Sequence, residues 1–168
     1  GAAHADASTL VYGRASGSVW LPDADADPTR DCGPINDGPQ APVMRATLAA
    51  LDAWVVDGTY PPTAPDIEAR DGELVRDEVG NVIGGIRTPP VDAPVAALSG
   101  DNSGESVFCS LFGGSTPLTE QQLAGLYTDH DDYVAQVTAS ADAAVDAGFL
   151  VPVDRDAYVA EAEAAAVP

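Results

Sequence analysis

The 168 residues carry 27 acidic against seven basic side chains, and all seven basic residues are Arg, for a formal net charge of −20. That balance makes nucleic acid and anionic membrane poor partners, and no apolar run reaches membrane-spanning length. The length suits one ordinary domain with a core, but thirty of the apolar residues are Ala and the connections are rich in Pro and Gly. A compact core is therefore expected to lean on other parts of a larger protein.

The chain opens at Gly1 without a Met and shows no charged-then-apolar targeting segment, so Gly1 reads as a cut through a longer protein. Within Gly1-Ala2-Ala3-His4-Ala5-Asp6, His4 sits among small residues and is free to turn toward a substrate. Its ordinary pKa near 6.5 suits proton transfer at neutral pH. A His near a chain end is also commonly just solvated. Residues 7–14 read as a loop anchored by Leu10, Val11 and Tyr12. Asp23, Asp25 and Asp27 alternate like the start of a calcium loop, but Pro28 stands where Gly is needed and no Glu closes the loop, so a solvated acidic loop is the better reading and no metal is expected. Residues 31–40 are dense in turn formers.

Pro42 to Asp57 forms the clearest predicted helix. Met44, Leu48, Leu51 and Val55 recur at steps of four, three and four, and Gly58 supplies the stop. Val43, Thr47 and Trp54 widen the stripe, which predicts packing against a large surface such as a sheet. Thr59 to Asp66 holds Pro61, Pro62 and Pro65 and reads as a rigid connection. Residues 73–98 read as short strands, with Gly80-Asn81 turning a small hairpin and Gly84-Gly85 marking a bend rather than a phosphate loop, since no Lys follows. Residues 99–117 read as irregular chain anchored by Phe108, Leu111 and Phe112.

The last third reads as helical. Thr119 caps one helix through Gln122, and Thr128 is expected to cap a second whose face is Tyr133, Val134, Val137, Ala141 and Val145, ending at Gly148. Asp154 is expected to cap a third carrying Tyr158, Val159 and Ala162. His130 falls in a first turn beside Asp129, Asp131 and Asp132, where exposure is the ordinary expectation and the carboxylates suit the helix dipole. Cys32 and Cys109 lack metal-ligand spacing. Two unrelated buried thiols are one reading; the other, carried forward, is that their Gly-rich segments let them pair, which would stabilise by about 3–5 kcal/mol and suit a secreted or periplasmic setting.

Gly1-Ala2-Ala3-His4-Ala5-Asp6 resembles the loop that bears the catalytic histidine in α/β-hydrolases. With Cys32-Gly33-Pro34-Ile35-Asn36-Asp37-Gly38-Pro39-Gln40, the Ala50-Leu51-Asp52-Ala53-Trp54-Val55 helix and Gly84-Gly85-Ile86-Arg87-Thr88-Pro89, the chain resembles the C-terminal part of large α/β hydrolase domain proteins. The resemblance implies an α/β parent fold, with this piece mainly α-helices, long Pro- and Gly-rich loops and a few short strands. Residues 1–60 would end the hydrolase domain, 61–117 would be a loop-rich extension and 118–168 a helical segment. It makes His4 the catalytic base of a serine hydrolase acting on a carboxylic ester or related acyl substrate, with no cofactor and with the upstream part of the domain as partner. The superfamily triad runs Ser, then Asp or Glu, then His. No Gly-x-Ser-x-Gly occurs here, and Gly113-Gly114-Ser115-Thr116-Pro117 lacks the final Gly, so the chain alone is expected to be inactive. The alternative is a non-catalytic module that packs on a partner domain.

Overall fold

The computed structural model describes residues 29–167, and the described chain forms two compact units, one from residues 29–40 and 96–117, the other from 41–95 and 118–167. Among the described residues six helices and four short strands follow in the order α1 Gln40–Asp57, β1 Ala69–Arg70, β2 Glu73–Leu74, α2 Pro89–Asp92, β3 Ala96–Ser99, α3 Val107–Phe112, β4 Gly114–Pro117, α4 Glu120–Leu126, α5 His130–Asp146 and α6 Pro152–Ala164. The described chain is thus mainly helical, with long connections between short strands.

The smaller unit is built on an antiparallel hairpin in which Ala96 faces Pro117 and Leu98 faces Ser115. Ala96 and Leu98 alternate inward on β3, as a strand with one buried face requires. Residues 29–36 run beside the hairpin. The Ser115 amide donates to Pro34 O at 3.0 Å and the Asn36 amide to Phe112 O at 3.1 Å. Residues 99–117 are not irregular, contrary to the sequence reading. Ser106 accepts from the Phe108 amide and starts α3, Gly113 ends it, and β4 follows at once. Phe112 is buried, while Phe108 and Leu111 are half-buried. Cys32 and Cys109 form a disulfide with Cα atoms 5.3 Å apart, closing a separation of 77 residues. Gly104, at φ +137°, lies over it: a Cβ there would stand 2.5 Å from Cys109 Sγ, so the position admits only Gly.

The larger unit has its core where α5 and α6 pack. Ala93, Tyr127, Tyr133, Val137 and Ala162 are buried together, with Leu123, Val134 and Tyr158 against them. The α5 stripe of Tyr133, Val137, Ser140, Ala141 and Ala144 follows the helical period. Thr119 and Gln122 make the capping box expected of α4. Two caps differ from expectation. Asp129, not Thr128, caps α5 by accepting from the Asp132 amide, because Thr128 turns its own amide and hydroxyl to Asp132 Oδ2. Helix α6 starts at Pro152 with no side-chain cap, since a Pro at the first helical position needs no donor satisfied. Asp154 lies one turn in and is buried.

Helix α1 starts at Gln40, with Pro42 in its first turn, and stops at Gly58, whose φ is +71°. Its apolar stripe does not find the expected surface: Met44, Leu48, Leu51, Trp54 and Val55 are all exposed, Val55 by 76%, and the only buried residue of the helix is Ala46. Arg45 ties the helix to α6 through two contacts from Nε to Asp154, at 3.0 and 3.1 Å, and a third from Nη2. The strand region at 73–98 is sparser than expected. A single antiparallel bridge joins Arg76 to Val82 around the Gly80-Asn81 turn, which Asp77 holds by accepting from the amides of Val79 and Asn81. Residues 89–92 form the short helix α2 instead of strand, because Pro89 opens a turn after Thr88 in extended conformation. Gly84, at φ +87°, lets the chain pass Asp66 so closely that a Cβ would meet its carbonyl oxygen at 2.1 Å.

Candidate functional site

His4 and its neighbour Asp6 lie outside the described residues, as do the loop anchors Leu10, Val11 and Tyr12 and the acidic run Asp23, Asp25 and Asp27. What the structure does place are the groups that could compete with His4 for a catalytic role.

His130 is half-buried at the first position of α5, not fully exposed. Its Nδ1 lies 3.1 Å from Val167 O and its ring is tilted against Tyr133. An imidazole nitrogen engaged by a backbone carbonyl carries the proton there and fastens the C-terminal segment to α5. The flanking carboxylates are engaged locally: Asp129 caps the helix, and the Thr128 amide and the Gln136 side chain hold Asp132 below the usual carboxylate range. This is helix-start chemistry, with no nucleophile in it.

Ser115 is the serine nearest in pattern to a nucleophile, and its setting runs the wrong way. A nucleophile elbow carries the chain from strand to helix, whereas Ser115 sits on β4 just after helix α3. It is buried, and its hydroxyl donates to Asp37 Oδ1 at 2.8 Å. A carboxylate could take a proton from it, but no imidazole within the same unit completes the arrangement among the described residues. The pair fixes residue 37 to β4.

The polar organisation that sequence reasoning missed is structural. Asn102 directs its side-chain amide at Gly33 O, Pro34 O and Gly113 O, joining residues 33 and 34 to the end of α3. Asn36 donates to Ser99 O and accepts from the Gly38 amide. Nothing in Ser99-Gly100-Asp101-Asn102-Ser103-Gly104 marks Asn102 apart from any other turn residue, because its three acceptors lie 11, 68 and 69 residues away. In the larger unit Asp92 accepts from both Arg87 Nε and Ser140 Oγ, linking α2 to α5. Burial pushes the Tyr127 phenol far up, with the charges of Tyr133 and Asp132 adding to it, and burial raises Tyr133 as well. Tyr127 donates to Pro94 O at 2.9 Å and packs edge-on against Tyr133, so both phenols stay neutral core groups. Among the described residues no group of three or more His, Cys, Asp or Glu could hold a metal ion, and no helix is long and apolar enough to cross a membrane.

With no triad visible among residues 29–167, assignment turns on the whole chain. The model of the alpha/beta hydrolase domain family matches residues 1–160. The chain belongs to the alpha/beta hydrolase domain family. The match takes in the segment around His4 and both units of the described fold. Comparison with curated proteins and with solved structures finds no match for this hydrolase-family chain.

Proposed function

We propose that this chain is the C-terminal part of a serine hydrolase acting on a carboxylic ester or related acyl substrate, and that it supplies the catalytic base, His4. The observation that carries the reading is the family match across residues 1–160, which includes the only His in the chain besides His130. His130 is engaged by Val167, which leaves His4 for the chemistry. In this role the His4 imidazole accepts the proton of a serine hydroxyl as it attacks the acyl carbon, then returns it to the leaving alkoxide. The serine and the acidic member belong to a segment preceding the histidine, as the triad order of this superfamily requires.

The exposed face of α1 supports the same reading. Met44, Leu48, Leu51, Trp54 and Val55 form a continuous apolar stripe of the kind that monomeric domains bury. The hydrolase domain upstream of His4 is the surface we assign to it. A non-catalytic module packing on a partner would use the same stripe, and labelling separates the two. A fluorophosphonate should modify one serine of the intact protein, at a position outside residues 1–168. Absence of labelling, or labelling of a serine within this chain such as Ser115, would overturn the proposal.

A further inference from the structure

In an Asp-Gly dipeptide the side-chain carboxyl reaches the following backbone nitrogen with little hindrance, because Gly adds no Cβ to block the approach. The chain holds three such pairs: Asp37-Gly38, Asp57-Gly58 and Asp71-Gly72. Their settings differ. The Gly38 amide donates to Asn36 Oδ1 at 2.8 Å while Asp37 Oδ1 accepts from the Ser115 hydroxyl, so both reacting groups are engaged. The Gly58 amide donates to Trp54 O at 3.1 Å, and Asp57 is the last residue of helix α1. Asp71 and Gly72 are both exposed, and the Gly72 amide has no acceptor among the described residues. A Cβ on Gly72 would meet nothing within 4 Å. With φ at +54° and +86°, residues 71 and 72 have the signs of a type I′ hairpin turn, and Asp71 is the only non-Gly residue at positive φ among the described residues, a region that crowds an L side chain. The ribbon behind the turn consists of the pairs Ala69↔Leu74 and Arg70↔Glu73 and the bond from the Val75 amide to Glu68 O. So short a ribbon is marginal in water, and its local opening frees Asp71 to rotate.

We propose that Asp71–Gly72 is a self-modification site, at which the backbone isomerises to isoaspartate and unlatches the β1–β2 hairpin while the other two Asp-Gly pairs persist. The Gly72 nitrogen attacks Cγ of Asp71 in its carboxylic acid form. The new N–Cγ bond closes a succinimide ring as the Cγ–OH bond breaks, and the hydroxyl leaves with the amide proton as water. A water molecule then adds to either ring carbonyl. Addition at Cγ breaks the new bond and restores Asp. Addition at the main-chain carbonyl carbon of Asp71 breaks its bond to the Gly72 nitrogen, so the chain now runs through Cβ and Cγ and the old main-chain carbonyl becomes a free carboxylate. One water leaves and one enters, and nothing is oxidised or reduced. The product's main chain is longer by one carbon, so the two-residue turn no longer sets the register of Arg70 against Glu73. This inference does not depend on the hydrolase reading.

Peptide mapping of the full chain after prolonged warm incubation at neutral pH, with and without urea, tests it. Isoaspartate is read as a peptide of unchanged mass that elutes separately and resists an Asp-specific protease. In the folded chain it should form at residue 71 roughly tenfold or more faster than at 37 or 57. In urea, where no amide is held, the three rates should converge to within about threefold. The Val75 amide should exchange with deuterium faster in the isoaspartyl fraction than in the unmodified chain. Comparable rates at the three sites in the folded chain, a lead at 37 or 57, or a lead at 71 that persists undiminished in urea would overturn the site. Unchanged exchange at Val75 in the isoaspartyl fraction would overturn the unlatching.

Discussion

The contact between Arg45 and Asp154 is asymmetric, and its two halves should respond differently to mutation. Asp154 has a side chain 7% exposed, whereas Arg45 is 42% exposed. Arg45→Met therefore strands a carboxylate that water cannot reach. Breaking a buried pair from one side costs about 3–5 kcal/mol, and the low end applies here because Asp154 also sits in the first turn of α6, where the helix dipole favours a negative charge. We expect a loss of about 3 kcal/mol. Asp154→Asn keeps a hydrogen-bonding side chain opposite a guanidinium that is 42% exposed, so only the charge-assisted part of this contact goes, about 1.5 kcal/mol. The double change Arg45→Met with Asp154→Leu should lose less than Arg45→Met alone, since no buried charge remains. Urea unfolding followed by circular dichroism, with Trp54 fluorescence reporting on α1, measures all three. If Asp154→Asn costs more than Arg45→Met, or if the double mutant loses the sum of the singles, the reasoning from burial fails.

Three further outcomes follow from named groups. Thr88 Oγ1 is buried without a hydrogen-bond partner, so Thr88→Val should stabilise by about 1 kcal/mol in the same urea titration; a loss of that size would show that the hydroxyl is satisfied. Tyr127 and Tyr133 both have raised phenol pKa values, so the stability they confer is fully present below the unfolded value near 10 and is lost as pH rises beyond it. Melts between pH 8 and 11 should show the decline, and Tyr127→Phe should flatten it while costing about 1 kcal/mol at neutral pH through loss of the bond to Pro94. With a formal charge of −20 and ion pairs such as Arg155–Asp142 only partly shielded from solvent, molar sodium chloride should raise the melting temperature by screening repulsion; an unchanged or lower value would show that repulsion does not control stability.

Local signals in the sequence reached as far as local physics does. The Thr119–Gln122 capping box, the Gly58 stop and the α5 face were legible because each is decided within one or two turns of chain. The start of α6 was misjudged because Asp is favoured both as a cap and in the first turn, and Pro152 was the stronger sign. Helix α3 was hidden by the Gly- and Ser-rich residues before it, although Ser106 is an ordinary cap. The Arg45–Asp154 pair spans 109 residues and has no local trace. Periodicity named the apolar face of α1 but could not say what covers it, and the exposure of that face shows that helical spacing and burial are separate facts. Of the candidate site, the residues around His4 carried the resemblance to the hydrolase family, and the family match agrees with it. The pairing of Cys32 with Cys109 was open in sequence and is closed in the structure.

The central proposal, that His4 is the base of a serine hydrolase, is tested most directly by His4→Ala in the intact protein assayed on a nitrophenyl ester, with Asp6→Asn as the neighbouring control. The account predicts that kcat falls about 10⁴-fold or more, because a serine hydroxyl without its imidazole is a poor nucleophile. It also predicts an unchanged melting temperature, and most of the activity kept by Asp6→Asn. A folded His4→Ala protein within tenfold of wild-type turnover, or an Asp6→Asn loss as large as that of His4→Ala, would contradict it.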